Sequence, residues 1–573
     1  MPPKPSTLSW ISAVLAILLA LVLLIFAQTT HPIVPSEDAY ITFRYAQNLA
    51  EGHSLVWNPG EDPVEGSTEF LWVLLVAGVS KLGLGVETAA LALSLFFAIL
   101  GVIVVGISAF YLSHRQTLVV LLAAGAFAVG PASYYVRAGF ATTLFSLLIA
   151  VSFICQIILV FASNRERLRT TAFIVLPLSL LLLGLTRPEG VLYGVFALAA
   201  IFLLLDRSDR IRLLKYTALL LLLPGLIYFI WRWQYFGHFL PNTFYVKSTG
   251  GLLHLRYIWD IYSMFKFLAP LLLLIGLGLV AAKRTYGFKM LVLLLPAFLF
   301  PWAYLLIDQL QNMGQRFQYP VYPVFLMAAA AALGVFKLDL SAKWSFKAVR
   351  NNLAIYAGIL LALFALFVPT EKALYLELLV LAIILLKVIE RWAPLEINPT
   401  ALQGVGLILL AVFTVFYIQQ SYRLATGFYP TQFDDRQTIG AALEPYAEKG
   451  YTVVASEAGW IPFFSGWRAI DPFGLNDEHI THQGLSFDYL DSVQPDVIMY
   501  HDVANPDPPR WADMVDLLRN YAESRGFILA AIIERKGPQD LHVYYIHPDN
   551  EDAEALIEAI VGQEGSIYGY SAQ

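Results

Sequence analysis

Apolar runs of bilayer-spanning length recur along most of the chain, parted by short polar stretches, and then stop. The first, at 8–27, is roughly 20 residues long, beyond the ~7–15 of a signal-peptide core, and predicts an anchor that stays in place. Further runs at 87–112, 118–131, 140–162, 172–185, 191–205, 216–236, 267–282, 290–307, 317–336, 353–368, 374–389 and 402–418 predict about thirteen spans in all. A fourteenth apolar stretch, 70–82, is too short to cross and is expected to lie in the interface as a juxtamembrane helix. After residue 421 the pattern changes. A helical period at 436–449 and 511–524, with strand-like runs at 451–456, 495–500, 527–534 and 541–546, predicts a soluble α/β domain over 422–573. The expected architecture is therefore a polytopic α-helical membrane domain, 1–421, carrying a C-terminal domain.

Cations give that architecture an orientation. Arg165, Arg167 and Arg169 share one loop; Arg207, Arg210, Arg212 and Lys215 the next basic one; then come Lys283, Arg284 and Lys289, and Lys337, Lys343, Lys347 and Arg350. Every second loop is basic, which places these loops and the N-terminus in the cytoplasm and the C-terminal domain outside the plasma membrane. The alternation closes only if 70–82 does not cross. The outward segments are then the first loop, 28–85, the loop 237–266, turns near Arg137, Arg187 and Arg316, and the C-terminal domain.

Composition agrees and excludes some classes. Of 573 residues, 58% are hydrophobic and 14% charged, with a mean hydropathy of +0.64, values that require a bilayer as solvent. A net charge of −6 with scattered cations offers no dense basic face for nucleic acid. The single cysteine, Cys155, permits no intrachain disulfide and no cysteine metal site. No nucleotide-binding glycine loop is present.

The outward loops carry the unusual residues. Glu37 and Asp38 follow Ser36 at the start of an amphipathic segment. Such acids either cap a helix, stabilised by its dipole, or form a carboxylate pair available at the membrane surface. Arg187, Arg316 and Lys247 face outward at span edges, where cations either snorkel to headgroups or gather an anion. His238 has no neighbours at metal-ligand spacing. Transfer of a sugar from a lipid phosphate needs both parts: a carboxylate to take a proton from the acceptor hydroxyl, and cations for the departing phosphate.

The run Glu37-Asp38-Ala39-Tyr40-Ile41-Thr42-Phe43-Arg44-Tyr45, continuing through Leu55-Val56-Trp57-Asn58-Pro59-Gly60 and Val64-Glu65-Gly66-Ser67-Thr68 to Trp72, resembles the first outer loop of GT-C glycosyltransferases related to mycobacterial terminal arabinofuranosyltransferases. The resemblance extends through Thr186-Arg187-Pro188-Glu189-Gly190, Pro241-Asn242-Thr243-Phe244-Tyr245-Val246-Lys247, Arg316-Phe317 and Ile470-Asp471-Pro472-Phe473-Gly474-Leu475-Asn476-Asp477. It implies a GT-C fold, a polyprenyl-phosphate sugar donor, inversion at the anomeric carbon and a base in the first loop. That family usually shows two aspartates where this chain has Glu37 and Asp38, so the resemblance assigns the base to Asp38 with Glu37 as partner or substitute. It implies a donor-phosphate site of Arg187, Arg316, Lys247 and His238, and substrate contacts at Tyr40, Arg44, Glu189, Asn242 and Asp477. It also makes 70–82 a juxtamembrane helix, in agreement with the charge pattern.

In the outer domain Trp460 and Trp467, near Glu457, fit either a sugar acceptor or a packed turn. The acids from Asp549 to Glu558 read as a solvated helix face. The motifs call for no cofactor and no metal ligand set, with a divalent cation beside the donor phosphate as the one cofactor left open. The expected partners are the lipid-linked sugar, a glycan, glycolipid or protein acceptor, and the bilayer. A lipid-sugar flippase and a non-catalytic envelope assembly protein are the alternatives; the first would place ionisable groups or broken helices near mid-membrane, whereas here the charges gather at outward edges.

Overall fold

The computed structural model describes residues 6–335 and 434–569, apart from breaks at 31–32, 249–252, 308, 310–311, 313–314, 505, 507, 538 and 562–565, together with 404 and 406–411. The predicted spans at 353–368 and 374–389, and most of 402–418, lie outside these residues. Among the described residues, seven helices are long and apolar enough to cross a membrane, and a pair bent by 62°, Leu255–Phe267 with Ala269–Ala281, makes an eighth. The predicted spans at 191–205 and 317–336 are shorter apolar helices, Glu189–Leu204 and Tyr322–Val335. The chain is a multi-pass membrane protein.

The Thr7–Thr30 helix shows how the bundle is built. Ala13, Ala16, Ala20 and Leu24, three or four apart, are buried, while Leu15, Leu18, Val22 and Phe26 remain exposed on the opposite side. Small residues turned inward let helices approach closely, and the aliphatic face meets lipid tails. The continuous helical segment 207–236 carries exposed Leu219, Leu222, Leu226, Ile227 and Ile230, and a π-helical turn at Ala218–Leu222 interrupts it just before Pro224.

Among the described residues, the basic loops at 165–169, 207–215 and 283–289 share one end of the bundle, and the fourth, at 337–350, lies outside those residues. Arg169 pairs with Asp209, Arg212 with Glu166 at 2.5 Å, and Phe161 packs against Tyr286 with ring centroids 4.9 Å apart. This is the grouping that the alternating charge pattern predicts.

At the opposite end lies the first loop. The Ala39–Glu51 helix ends at Gly52, whose positive φ of 96° turns the chain away. The Phe70–Ser80 helix has 11 residues, about 16 Å of rise, too few to span a bilayer. It packs against the Ala39–Glu51 and Val86–Leu112 helices, as expected of a juxtamembrane element. A helix not anticipated from the sequence, Pro131–Ala138, ends at Gly139 with φ 87°; a side chain there would lie 2.8 Å from the Ala39 methyl, so only glycine lets the segments touch.

The C-terminal domain, called the outer domain for the side that the charge pattern expects it to face, is a six-stranded mixed sheet. Strands β1 (Thr452–Ala455), β2 (Arg468–Ile470), β3 (Val497–Val503), β4 (Ile528–Gly537), β5 (Asp540–Ile546) and β6 (Ser566–Gly569) stand in the order β2-β1-β3-β5-β4-β6. β1 runs parallel to β2 and β3, and the other pairs are antiparallel. β2 is an edge strand, and the first loop covers it. The Asn58 side chain accepts from the Ala469 N–H and donates to the Ala469 carbonyl, both at 3.0 Å, as a neighbouring strand would. Trp57 Nε1 also donates to that carbonyl at 2.8 Å. The outer domain is thus seated on the membrane domain through its sheet edge.

Candidate functional site

Asp38 stands at the N-cap position of the Ala39–Glu51 helix, with helical backbone angles and no capping bond from its side chain. Its carboxylate is therefore not consumed by helix capping. It faces Arg316, Oδ2 to Nη2 at 3.6 Å, and retains 25% exposure of its side chain against 6% for Arg316. Burial raises the Asp38 pKa; Arg316 and Lys247 act against that rise.

Arg316 lies with its guanidinium 3.6 Å over the Phe140 ring. Nε and Nη1 are buried with no hydrogen-bond partner among the described residues. Burial lowers its pKa to about 10, with Asp38 opposing the drop, so it remains charged at neutral pH. A buried, charged fork with two unfilled donors is arranged for an anion. Lys247 completes the cluster from the Asn242–Lys247 helix. The residue as a whole is partly exposed, yet its ammonium is surrounded by protein, and this burial lowers its pKa to about 8 while Asp38 acts in the other direction.

Arg187 is held differently. It donates to Glu69 at 3.0 Å and to Glu189 at 3.2 Å, and its guanidinium lies 4.9 Å from the Phe317 ring centre. Burial opposes its charge, but Glu189, Tyr304 and Glu69 outweigh burial and keep it protonated. Arg187 thus fixes the segment carrying Arg316 and Phe317 while contributing positive potential.

The same architecture recurs in known proteins. ArnT from Cupriavidus metallidurans superposes in its apo state with a TM-score of 0.55 at 13% identity, covering 94% of this chain and 98% of that one. Its complex with undecaprenyl phosphate gives 0.53 over the same shares at 13% identity. The arabinofuranosyltransferase AftD from Mycobacteria gives 0.51 at 14% identity, over 94% of this chain and 40% of that one. The chain has the GT-C glycosyltransferase fold. In sequence, a domain of unknown function, DUF8728, matches residues 419–544, in the C-terminal part of the chain. No curated protein matches the chain in sequence.

Within the GT-C frame, the remaining candidates divide. Glu37 adjoins Asp38 but turns to the outer domain, where its carboxylate accepts from the backbone of Gly459 and of Trp460, the latter at 3.1 Å. Tyr40 donates to Glu87 at 2.7 Å and packs among Phe43, Phe463 and Phe464. Arg44 is a clamp: it donates to the carbonyls of Trp57, Pro462 and Trp467 and to Asn58. Trp467 donates to the Leu443 carbonyl at 2.9 Å, and Trp460 packs under Arg436, so both tryptophans are buried in the domain seam. Asn242 donates to Gly474, Leu475 and Thr481. His238 pairs with Glu478 at 2.6 Å and stacks on His482. Asp477 caps the Glu478–Gln483 helix and accepts from Tyr489 at 2.5 Å; it borders an open cavity of about 390 Å³ between the first loop and the outer domain.

Glu69, Arg436, Asp434, Asp435 and His542 were not among the sequence candidates, and Glu457 entered only as the acid near the two tryptophans. Glu69 anchors Arg187, and its only signal is an acid immediately before an apolar helix. Glu457 and Arg436 meet at 3.2 Å beside Glu37. Asp434, Asp435 and His542 bring three ligand atoms within 4.8 Å of one another. They do not suit a metal ion: Asp434 is paired with Arg436 and Arg535, and Asp435 with His542 and Tyr544, so a cation there would face two guanidinium groups.

Proposed function

We propose that the protein is an extracytoplasmic, inverting glycosyltransferase that moves a sugar from a polyprenyl phosphate to an envelope glycan, glycolipid or protein. The observation that carries this reading is Arg316, a buried guanidinium with two open donors beside Asp38 and Lys247. ArnT, which shares the fold, has been seen with undecaprenyl phosphate, and a phosphate of that kind suits the open fork.

In the proposed reaction the acceptor hydroxyl oxygen attacks the anomeric carbon. The bond from that carbon to the phosphate oxygen breaks, the hydroxyl proton passes to Asp38, and polyprenyl phosphate departs. Arg316 and Lys247 hold the charge that grows on the leaving phosphate, and Arg187 adds potential from one shell further out. A carboxylate whose pKa is raised by burial is a stronger base than one in water, which favours this proton transfer. Arabinofuranose is the sugar that the first-loop resemblance suggests, with another pentose or a hexose as the alternative that Glu37, in place of the usual aspartate, leaves open. Orientation follows the charge pattern, with the N-terminus cytoplasmic and the outer domain on the far side.

The test is Asp38→Asn, expressed in cells lacking their own copy. Envelope glycans analysed by mass spectrometry should lack one sugar at a defined linkage, as in the uncomplemented cells, with the protein at normal abundance. Full restoration of that sugar by Asp38→Asn would sink the reading.

A further inference from the structure

Consecutive residues in helical backbone point about 100° apart, so neighbouring side chains can serve different surfaces. Asp38 takes φ −56° and ψ −25°, and the two acids separate accordingly: Asp38 toward Arg316, Glu37 toward the outer domain. The Glu37 carboxylate is a shared acceptor for two consecutive backbone N–H groups, those of Gly459 and Trp460. Its carbonyl accepts from Tyr40 at 3.0 Å, which starts the helix behind Asp38. Position 459 must be glycine for this approach, because any Cβ would run into the Glu37 carbonyl.

The turn that meets Glu37 is itself braced. Arg436 joins Glu457 at 3.2 Å and covers the Trp460 ring at 4.7 Å; Glu457 meets His501 at 2.7 Å, and His501 meets Asp540 at 2.7 Å. The brace runs from the sheet to the residue next to Asp38.

We propose that Glu37 is a positioning residue through which the outer domain sets the placement of Asp38, its oxygen acting as hydrogen-bond acceptor rather than as base or charge. This rests on the glycosyltransferase reading above and gives the outer domain a part in it. Burial, with Glu457 close by, raises the Glu37 pKa well above the usual carboxylate range, and a neutral carboxyl and an amide present the same acceptor oxygen.

The substitutions order themselves in a way that a base would not. Glu37→Gln keeps the acceptor and the reach; Glu37→Asp keeps the carboxylate but is one methylene short; Glu37→Ala keeps neither. In complemented cells Glu37→Gln should restore the missing sugar to within about twofold of the wild type, while Glu37→Asp and Glu37→Ala fall about tenfold or more, the scale of a misplaced catalytic group. Gly459→Ala, with Glu37 intact, should fall with them. Purified Glu37→Ala protein should bind undecaprenyl phosphate with unchanged affinity. Independently of any activity, amide hydrogen exchange at 457–462 should quicken in Glu37→Asp and Glu37→Ala and stay at the wild-type rate in Glu37→Gln. Loss of transfer in Glu37→Gln as deep as in Asp38→Asn, full transfer in Glu37→Asp, or unchanged exchange in Glu37→Ala would each overturn the proposal. Failure of the glycosyltransferase reading shows separately, as an active Asp38→Asn or as no sugar difference in any cells, and the exchange measurement still decides the latch.

Discussion

Asp38 and Arg316 face each other at 3.6 Å, an acid with access to solvent against a cation that has almost none. The contact is long for a salt bridge with ideal geometry, and two other donors on Arg316 stay unfilled among the described residues. A bound phosphate would fill them and release Asp38 for the acceptor.

Arg316→Ala should therefore weaken binding of undecaprenyl phosphate by about 10- to 100-fold, roughly 1.4–2.8 kcal/mol. Arg316→Lys should recover only part of that, since an ammonium cannot fill a planar fork. Asp38→Asn should bind the phosphate at least as tightly as the wild type, because a nearby negative charge is removed. Calorimetric titration in detergent checks all three, and an Arg316→Ala protein with wild-type affinity would remove the phosphate site from this cluster.

Lys247 gives donor binding a pH dependence. Its pKa is lowered to about 8 by burial; Asp38 and Glu189 favour its charge, and Arg316 and Arg187 oppose it. The lysine binds phosphate in its protonated form, so its contribution is present below about pH 8 and is lost as pH rises through that value. Undecaprenyl phosphate affinity should fall between about pH 7 and pH 9 in the wild type. In Lys247→Met the affinity should be lower throughout and flat over the same range. A wild-type profile as flat as the variant's would show that Lys247 does not meet the phosphate.

Much of this was legible in the sequence because membrane spans and loop charges obey strong one-dimensional rules. The helices at 86–112 and 142–161 fall within two residues of the predicted runs, and 70–80 is the short interfacial element expected. The gathering of Asp38, Arg316, Lys247 and Arg187 at one end followed from placing them all outward. What periodicity could not convey was partnership across the seam. Arg44 and Asn242 look like pocket residues in a motif, yet their hydrogen bonds go to backbone of the outer domain. Short elements also escaped: β2 has three residues, and the Trp460–Ser465 helix carries a proline within six, lengths at which no period can be read.

Arg44 carries the seam's energetics. It is buried and donates to three carbonyls and one side-chain amide spanning the first loop and the outer domain. In Arg44→Ala the Trp57 carbonyl keeps Asn48 and the Asn58 oxygen keeps the Ala469 N–H, whereas the Pro462 and Trp467 carbonyls lose their Arg44 donor, at about 1–3 kcal/mol for each one left unsatisfied. The variant should melt several degrees lower and be cleaved faster in limited proteolysis, and Arg44→Lys, with fewer donors, should rescue it only in part. An Arg44→Ala protein with wild-type melting and proteolysis would mean that the clamp contributes nothing to docking.

Sidedness can be tested with the chain's own cysteine economy. Cys155 is the single cysteine, and it is buried in the Thr142–Phe161 helix, so the wild type should give almost no background with a membrane-impermeant maleimide. Glu448 is exposed on the outer domain, and Arg167 is exposed in the first turn of the Glu166–Thr186 helix at the other end of the bundle. If the basic loops are cytoplasmic, Glu448→Cys labels in intact cells, whereas Arg167→Cys labels only after the membrane is opened. The two sites lie on opposite ends of one bundle, so their labelling must be reciprocal. Labelling of Arg167→Cys in intact cells, with Glu448→Cys protected, would invert the protein, put Asp38 and Arg316 on the cytoplasmic side, and require the lipid-linked sugar to be used there instead.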